Sequence, residues 1–289
     1  MKPFVLLSIR AEDAAADNEY TSFLSLGELE ERELLRVRLE QRPLGDVDLS
    51  SWSGILLGGG PFNYSDPEER KSPVQRRVET DLRRLLDTVV AEDFPFLGAC
   101  YGVGALGSHQ GAPVSRDFGE AVGPVRVMLT AQGRNDPLLR DVPASFDAFT
   151  GHKEGIGQPP ASAVLLATAA TCPVQAFRVG SNVYATQFHP EMDSDALCTR
   201  IDVYKHAGYF DPASADDLKS LARRSNVPHP ARILRAFISR YASARTAAPI
   251  TRDRHGHGSP RQPASSLFHR QAVDRPAAAG SGASSTTPA

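Results

Sequence analysis

At 289 residues the chain is long enough to bury a sizeable core, and a composition 41% hydrophobic and 23% charged is that of an ordinary globular protein. Thirty-two basic against 34 acidic residues leave a formal charge of −2, which argues against a nucleic-acid or anionic-membrane partner recognised through an overall basic field. The 3 cysteines (Cys100, Cys172, Cys198) are too few for a disulfide framework and fit a reducing cytoplasm. The opening apolar run is shorter than a signal-peptide core and is interrupted by Arg10, and no stretch approaches the roughly 20 apolar residues of a membrane span. A cytoplasmic protein without a membrane anchor is the expectation.

In chain order, residues 4–9 form a compact apolar run that predicts a buried first strand. Residues 19–41 are charged and leucine-spaced, which predicts one long amphipathic helix ending before Pro43. Residues 54–57 are apolar and run into Gly58-Gly59-Gly60-Pro61. Over 73–91 Val78, Leu82, Leu85, Leu86 and Val89 recur at helical spacing, and Pro73 suits a first turn. Residues 94–99 predict another buried strand, and 101–108 a helix. Strands alternating with helices argue for a mostly parallel sheet covered on both faces.

Past residue 120 the pattern changes. Segments 122–130, 146–150, 163–168, 174–179 and 183–188 predict strands with short connections, the last two joined by a hairpin turn at Gly180-Ser181-Asn182. Helices return over 195–207, 213–225 and 230–244. The expected fold class is α/β: a doubly wound, mostly parallel mixed sheet with flanking helices. From Thr246 onward Pro, Ser, Gly and Ala dominate, so residues 1–245 are expected to form the domain and 246–289 a disordered tail. His255 and His257 in that tail read as solvated polar residues rather than as metal ligands.

Gly98-Ala99-Cys100-Tyr101-Gly102 carries the strongest chemical signal. It ends an apolar strand and opens a helical segment, which is the geometry of a nucleophile elbow with Cys in place of Ser. The turn lifts the side chain above the sheet edge, and the helix N-terminus favours a thiolate there. The N–H of Tyr101 is placed to face an oxyanion. Taken alone, a cysteine at a strand end is as readily a small buried hydrophobe. The neighbouring signals decide for chemistry. His189 follows the apolar run 183–188, and the end of a strand is a rigid place for a general base. Glu191, held two residues on by Pro190, is placed to fix the imidazole tautomer. The N–H groups of Gly59 and Gly60, on a loop at the same strand ends, complete the candidate oxyanion hole.

Residues 54–61, 96–107 and 184–193 together resemble the class I glutamine amidotransferases, close to the type fused to GMP synthases, over roughly residues 1–205. The resemblance implies a flavodoxin-like amidotransferase fold and a cysteine hydrolase without cofactor or metal. Cys100 would attack the glutamine side-chain amide and form a γ-glutamyl thioester. Ammonia and then glutamate would leave, with His189 shuttling the proton and Glu191 orienting it. Gly151-His152-Lys153-Glu154 is similar to the family's Ser-His-Gly-Asp stretch, which puts His152 beside the substrate.

Two positions depart from the family. Gly104 stands where members usually carry a substrate-holding Gln, and Lys153 replaces a common Gly. No synthetase segment follows in this sequence, so a separate synthetase partner is expected to use the ammonia. A stand-alone hydrolase of γ-glutamyl amides or peptides is the alternative reading. A non-enzymatic binding module is a third, disfavoured by the intact Cys100, His189 and Glu191.

Overall fold

The computed structural model describes residues 2–243; the expected boundary at 245, the tail and its two histidines lie outside the described residues. The first half of the chain runs β1 (Phe4–Ser8), α1 (Asp13–Gly27), β2 (Leu34–Arg38), β3 (Ile55–Leu57), α2 (Pro73–Ala91), β4 (Phe96–Ala99) and α3 (Tyr101–His109). A strand-rich stretch follows: β5 (Val114–Ser115), β6 (Glu120–Leu129), α4 (Ala131–Asn135), β7 (Ser145–His152), β8 (Gly155–Ile156), β9 (Ala163–Thr168), β10 (Ala176–Val179) and β11 (Val183–Thr186). The described part closes with α5 (Ser194–Val203), α6 (Ala215–Arg224) and α7 (Pro230–Ser243).

Nine strands form one sheet in the order β2-β1-β3-β4-β11-β10-β9-β6-β7. Neighbours from β2 through β11 pair in parallel, and those from β11 to β7 pair antiparallel. Strand β1 shows why the parallel half reads as unbroken apolar sequence. Val5 and Leu7 join one core with Leu82, Leu85 and Leu86 of α2, while Phe4 and Leu6 face the opposite core with Phe23 of α1 and Phe237 of α7. Successive side chains point to opposite faces, and helices cover both. Each large side chain buried in this way contributes about 1.5–3 kcal/mol. Helix α2 starts where its sequence promises: Ser72 accepts from Gln75 N–H at 3.1 Å, and Pro73 occupies the first turn.

The single helix expected over 19–41 does not form. Helix α1 begins earlier, at Asp13, and stops at Gly27; Glu28 takes a left-handed conformation (φ 55°) and donates to the carbonyls of Leu24 and Ser25. That cap ends the helix, and residues 34–38 instead add an edge strand parallel to β1. The hairpin between β10 and β11 forms as expected, with Gly180 at φ 58°.

The parallel half positions the site. Because β1, β3, β4 and β11 run the same way, the residues after their C-terminal ends converge on one edge. These are Arg10, the glycines 58–60, Cys100 and His189.

Candidate active site

Cys100 occupies a backbone conformation uncommon for a residue with a Cβ, φ 53° and ψ −88°, between β4 and α3. It is held there by its N–H, which donates to Thr186 O of β11 at 2.7 Å, and by its carbonyl, which accepts from Val103 N–H at 3.0 Å. Gly98 is required by the turn: a Cβ there would lie 2.8 Å from Gly102 Cα. The sulfur is half-buried, whereas Cys172 and Cys198 are buried. Burial pushes the Cys100 thiol up to about 12; Arg10 and Arg200 pull it down and Glu191 adds to the rise. The resting group is therefore a thiol. The thiolate favoured by the α3 N-terminus alone does not prevail against burial.

His189 follows β11, with its N–H donating to Phe149 O at 3.1 Å. Its Nδ1 lies 2.7 Å from Glu191 Oε1, and both side chains are almost fully buried. Burial depresses the His189 pKa, so the ring is neutral near pH 7. A carboxylate can only accept, so Nδ1 carries the proton and Nε2 keeps its lone pair. Burial acts to raise the Glu191 pKa, but His189 and Arg200 outweigh it and hold the carboxyl well below the usual range. Arg200, from α5, reaches Glu191 Oε1 with Nη2 at 3.0 Å and places Nη1 3.1 Å from His189 Nδ1. Cys100 and His189 line the same cavity.

The glycine loop 58–60 lies against these groups. A Cβ on Gly59 would come within 2.6 Å of His189 Cε1 and 3.0 Å of Arg10 Nη2. Arg10 is itself tied down, donating through Nε to the buried Glu19 at 2.9 Å and through Nη1 to Tyr204 Oη at 3.2 Å.

Two connected lobes flank Cys100. The first, with an empty volume of about 480 Å³, is bordered by His189, Arg200, Thr150 and apolar residues of α5 and the segment after it. The second, about 360 Å³, is bordered by Tyr101, Gly104, His152 and Glu154. Gly60, Cys100, Gly151 and Tyr209 border both. Gly59, Gly60 and Tyr101 thus stand beside the cysteine and the histidine. His152 also borders the second lobe, but its Nδ1 lies 2.7 Å from Glu154 O and its Nε2 2.8 Å from Glu120 Oε2, so both ring nitrogens face protein oxygens. Glu120 further accepts from Gln175 at 2.8 Å and from Thr171. The donor atoms of Glu120, His152 and Cys172 lie within 4.8 Å of one another, in a network whose carboxylate already has three protein partners.

The Gly104 departure has a structural counterpart. A Cβ there would meet Tyr64 Cδ2 at 3.0 Å, and the Tyr64 ring packs on Tyr101 with centroids 5.0 Å apart. Glu154 accepts from Tyr64 N–H at 2.6 Å and Ser65 N–H at 2.9 Å, which fixes this ring's loop over the helix. Arg10, Tyr64 and Arg200 were not legible as site residues. The one faint signal was an arginine directly after a buried strand end.

A fold of this topology, with a cysteine elbow and a histidine at adjacent parallel strand ends, matches a known class. Residues 20–201 match the model of the glutamine amidotransferase class-I family, and the chain belongs to that family, whose members are cysteine-dependent. Among curated relatives, a glutamine-hydrolyzing GMP synthase from Dehalococcoides mccartyi is 29% identical over 143 residues, 48% of this chain and 23% of that protein. A GMP synthase that is made as separate chains, in Thermoplasma volcanium, has a glutamine-hydrolyzing subunit 27% identical over 56% of this chain and 72% of its own length. The chain thus spans about a quarter of the length of the D. mccartyi relative and most of that of the T. volcanium one. Among solved structures, a glutamine amidotransferase from Thermotoga maritima superposes with a TM-score of 0.68 at 20% identity, covering 84% of this chain and all of that one. One from Methylobacillus flagellatus gives 0.64 at 19% identity, covering 89% of this chain and 100% of that one. Among the described residues, no helix is long and apolar enough to cross a membrane.

Proposed function

We propose that Cys100, His189 and Glu191 form the catalytic triad of a hydrolase that cleaves the side-chain amide of glutamine to glutamate and ammonia. The observation that carries this reading is the meeting of Cys100 and His189 on one cavity, with Glu191 on the far nitrogen of the imidazole. A thiol raised to about 12 needs a base to deprotonate it, and a neutral His189 with a free Nε2 supplies one. The thiolate attacks the amide carbon, the C–N bond breaks, and the nitrogen leaves with the proton His189 has taken. Water then attacks the thioester, its proton passing through His189 back to sulfur as glutamate departs. The N–H groups of Tyr101 and Gly60 receive the oxyanion in both halves. Gly59 gives the imidazole room, and Glu154 presents negative charge to the substrate ammonium in the second lobe.

The likeness to the T. volcanium GMP synthase subunit supports ammonia delivery to a separate synthetase. The stand-alone reading, hydrolysis of γ-glutamyl amides without a partner, is favoured by Tyr64 occupying the space above Gly104. The test is glutamate release from glutamine by the purified chain, with and without a synthetase, alongside a Cys100→Ala variant. Turnover lost in Cys100→Ala, and a mass increase on Cys100 with a glutamine-derived electrophile, are expected. Turnover retained by Cys100→Ala would overturn the triad.

A further inference from the structure

The two lobes on either side of Cys100 differ in what they offer a bound amide. Tyr101, Gly104 and Glu154 border the second lobe only, and His189 borders the first only. Under the proposed triad, the nitrogen that leaves must take its proton from His189 Nε2. The acyl group therefore belongs in the second lobe, and whatever is attached to the nitrogen points into the first. An ammonia leaving group needs no apolar chamber there. The first lobe nonetheless has walls of Val122 on β6, Leu197 and Ile201 on α5, and Met192, Tyr204 and Phe210.

The outer wall is built and braced. Tyr204 Oη accepts from Arg10 and donates to Glu12 at 3.1 Å, while Lys153 donates to Ala207 O at 2.7 Å and lies over the Tyr209 ring at 4.3 Å. The departure Lys153 thus ties down the segment that closes the lobe. The two arginines of the lobe are committed to buried carboxylates, Arg10 to Glu19 and Arg200 to Glu191, so they leave little net charge for an anion. One polar group on this wall is without a protein partner: the Thr150 hydroxyl, on a residue 1% exposed. It stands where the N–H of a substituted amide would enter.

We propose that the first lobe is a leaving-group subsite, and that the preferred substrates are γ-glutamyl amides of primary amines with an apolar chain. The inference rests on the triad reading and refines its substrate. The overall step is hydrolytic: the C–N bond breaks, the amine departs carrying the proton His189 delivers, and one water completes glutamate.

The test compares kcat/KM for glutamine, γ-glutamyl-n-butylamide and γ-glutamylbenzylamide on the full chain. The N-substituted amides are expected to exceed glutamine by about tenfold or more, the scale on which an apolar pocket discriminates. Leu197→Trp, which fills the lobe, should lower the ratio of butylamide to glutamine turnover, and Val122→Phe on the facing wall should do the same should the first variant fold poorly. Glutamine turned over faster than both amides, or a ratio unmoved by both variants, would overturn the subsite and leave the triad standing. No turnover of any of the three, with no acylation of Cys100, would instead overturn the triad and the subsite with it.

Discussion

Arg200 and Glu191 form a buried ion pair, Nη2 to Oε1 at 3.0 Å, on the very oxygen that His189 Nδ1 contacts at 2.7 Å. The guanidinium keeps the carboxylate ionised, and it also raises the cost of placing a positive charge on the imidazole. Arg200 is thus a positioning residue for the neutral form of the base.

Removing that charge has a signed effect on pH dependence. The His189 pKa is depressed by burial, with Arg200 contributing to the fall and Glu191 opposing it. Activity needs the neutral ring, so the acid limb of kcat/KM lies below the ordinary histidine value of 6.5. Arg200→Met should move that limb to higher pH, measured by a pH–rate profile. A limb unmoved by the substitution would show that the arginine only packs.

The same pair sets acid stability. The Glu191 pKa is lowered in the fold, so its contribution is present in full above the ordinary value of 4.5 and is lost as pH falls towards the folded value. His189 acts in the same direction over a higher window, because a depressed histidine favours the fold above 6.5 and loses that contribution below it. Glu191→Gln strands Arg200 and should cost about 3–5 kcal/mol, read by denaturant melts at pH 7, and should flatten the stability profile below 4.5.

Gly59→Ala tests the contact with the imidazole. The added methyl would meet His189 Cε1 at 2.6 Å, so the ring must move. A displacement of about 1 Å at a catalytic base costs on the order of 10²-fold in rate. The expected result is that loss in kcat with a nearly unchanged melting temperature.

Gly104→Gln, which restores the family's residue, should not restore a glutamine contact. Its Cβ would stand 3.0 Å from the Tyr64 ring, which is pinned on Tyr101. Overpacking of this kind costs about 1–3 kcal/mol. Pairing it with Tyr64→Ala should recover the stability, as a thermal melt of the three variants would reveal.

Alkylation by iodoacetamide should reach Cys100 before Cys172 and Cys198, because only Cys100 is part-exposed. With the thiol raised to about 12, the labelling rate should climb through the alkaline range. Peptide mapping that finds equal modification at all three positions would contradict this.

The elements that carry the chemistry were the most legible. A buried parallel strand is a continuous apolar run, and its end is marked by glycines or by a nucleophile, so β1, β3 and β4 and the Cys100 elbow could be read directly. The same local signal placed His189 and Glu191 together, because Pro190 fixes their spacing. What stayed hidden depends on contacts distant in sequence. Arg200 looks like any helical arginine until α5 packs beside β11, and Tyr64 lies in a loop without periodicity. The misread helix over 19–41 failed for a different reason. Leucines in an edge strand with few neighbours recur at spacings that a helix also permits, and only the left-handed cap at Glu28 separates the two.

The register of β4 against β11, Phe96 opposite Val183 through Ala99 opposite Thr186, has a kinetic consequence. The two strands are adjacent in space but separated by α3 and the whole antiparallel half of the sheet. Closing so long a loop is slow and comes late. During folding, thiol and imidazole therefore come together only when β11 slots in beside β4, and no partly folded chain carries a working pair.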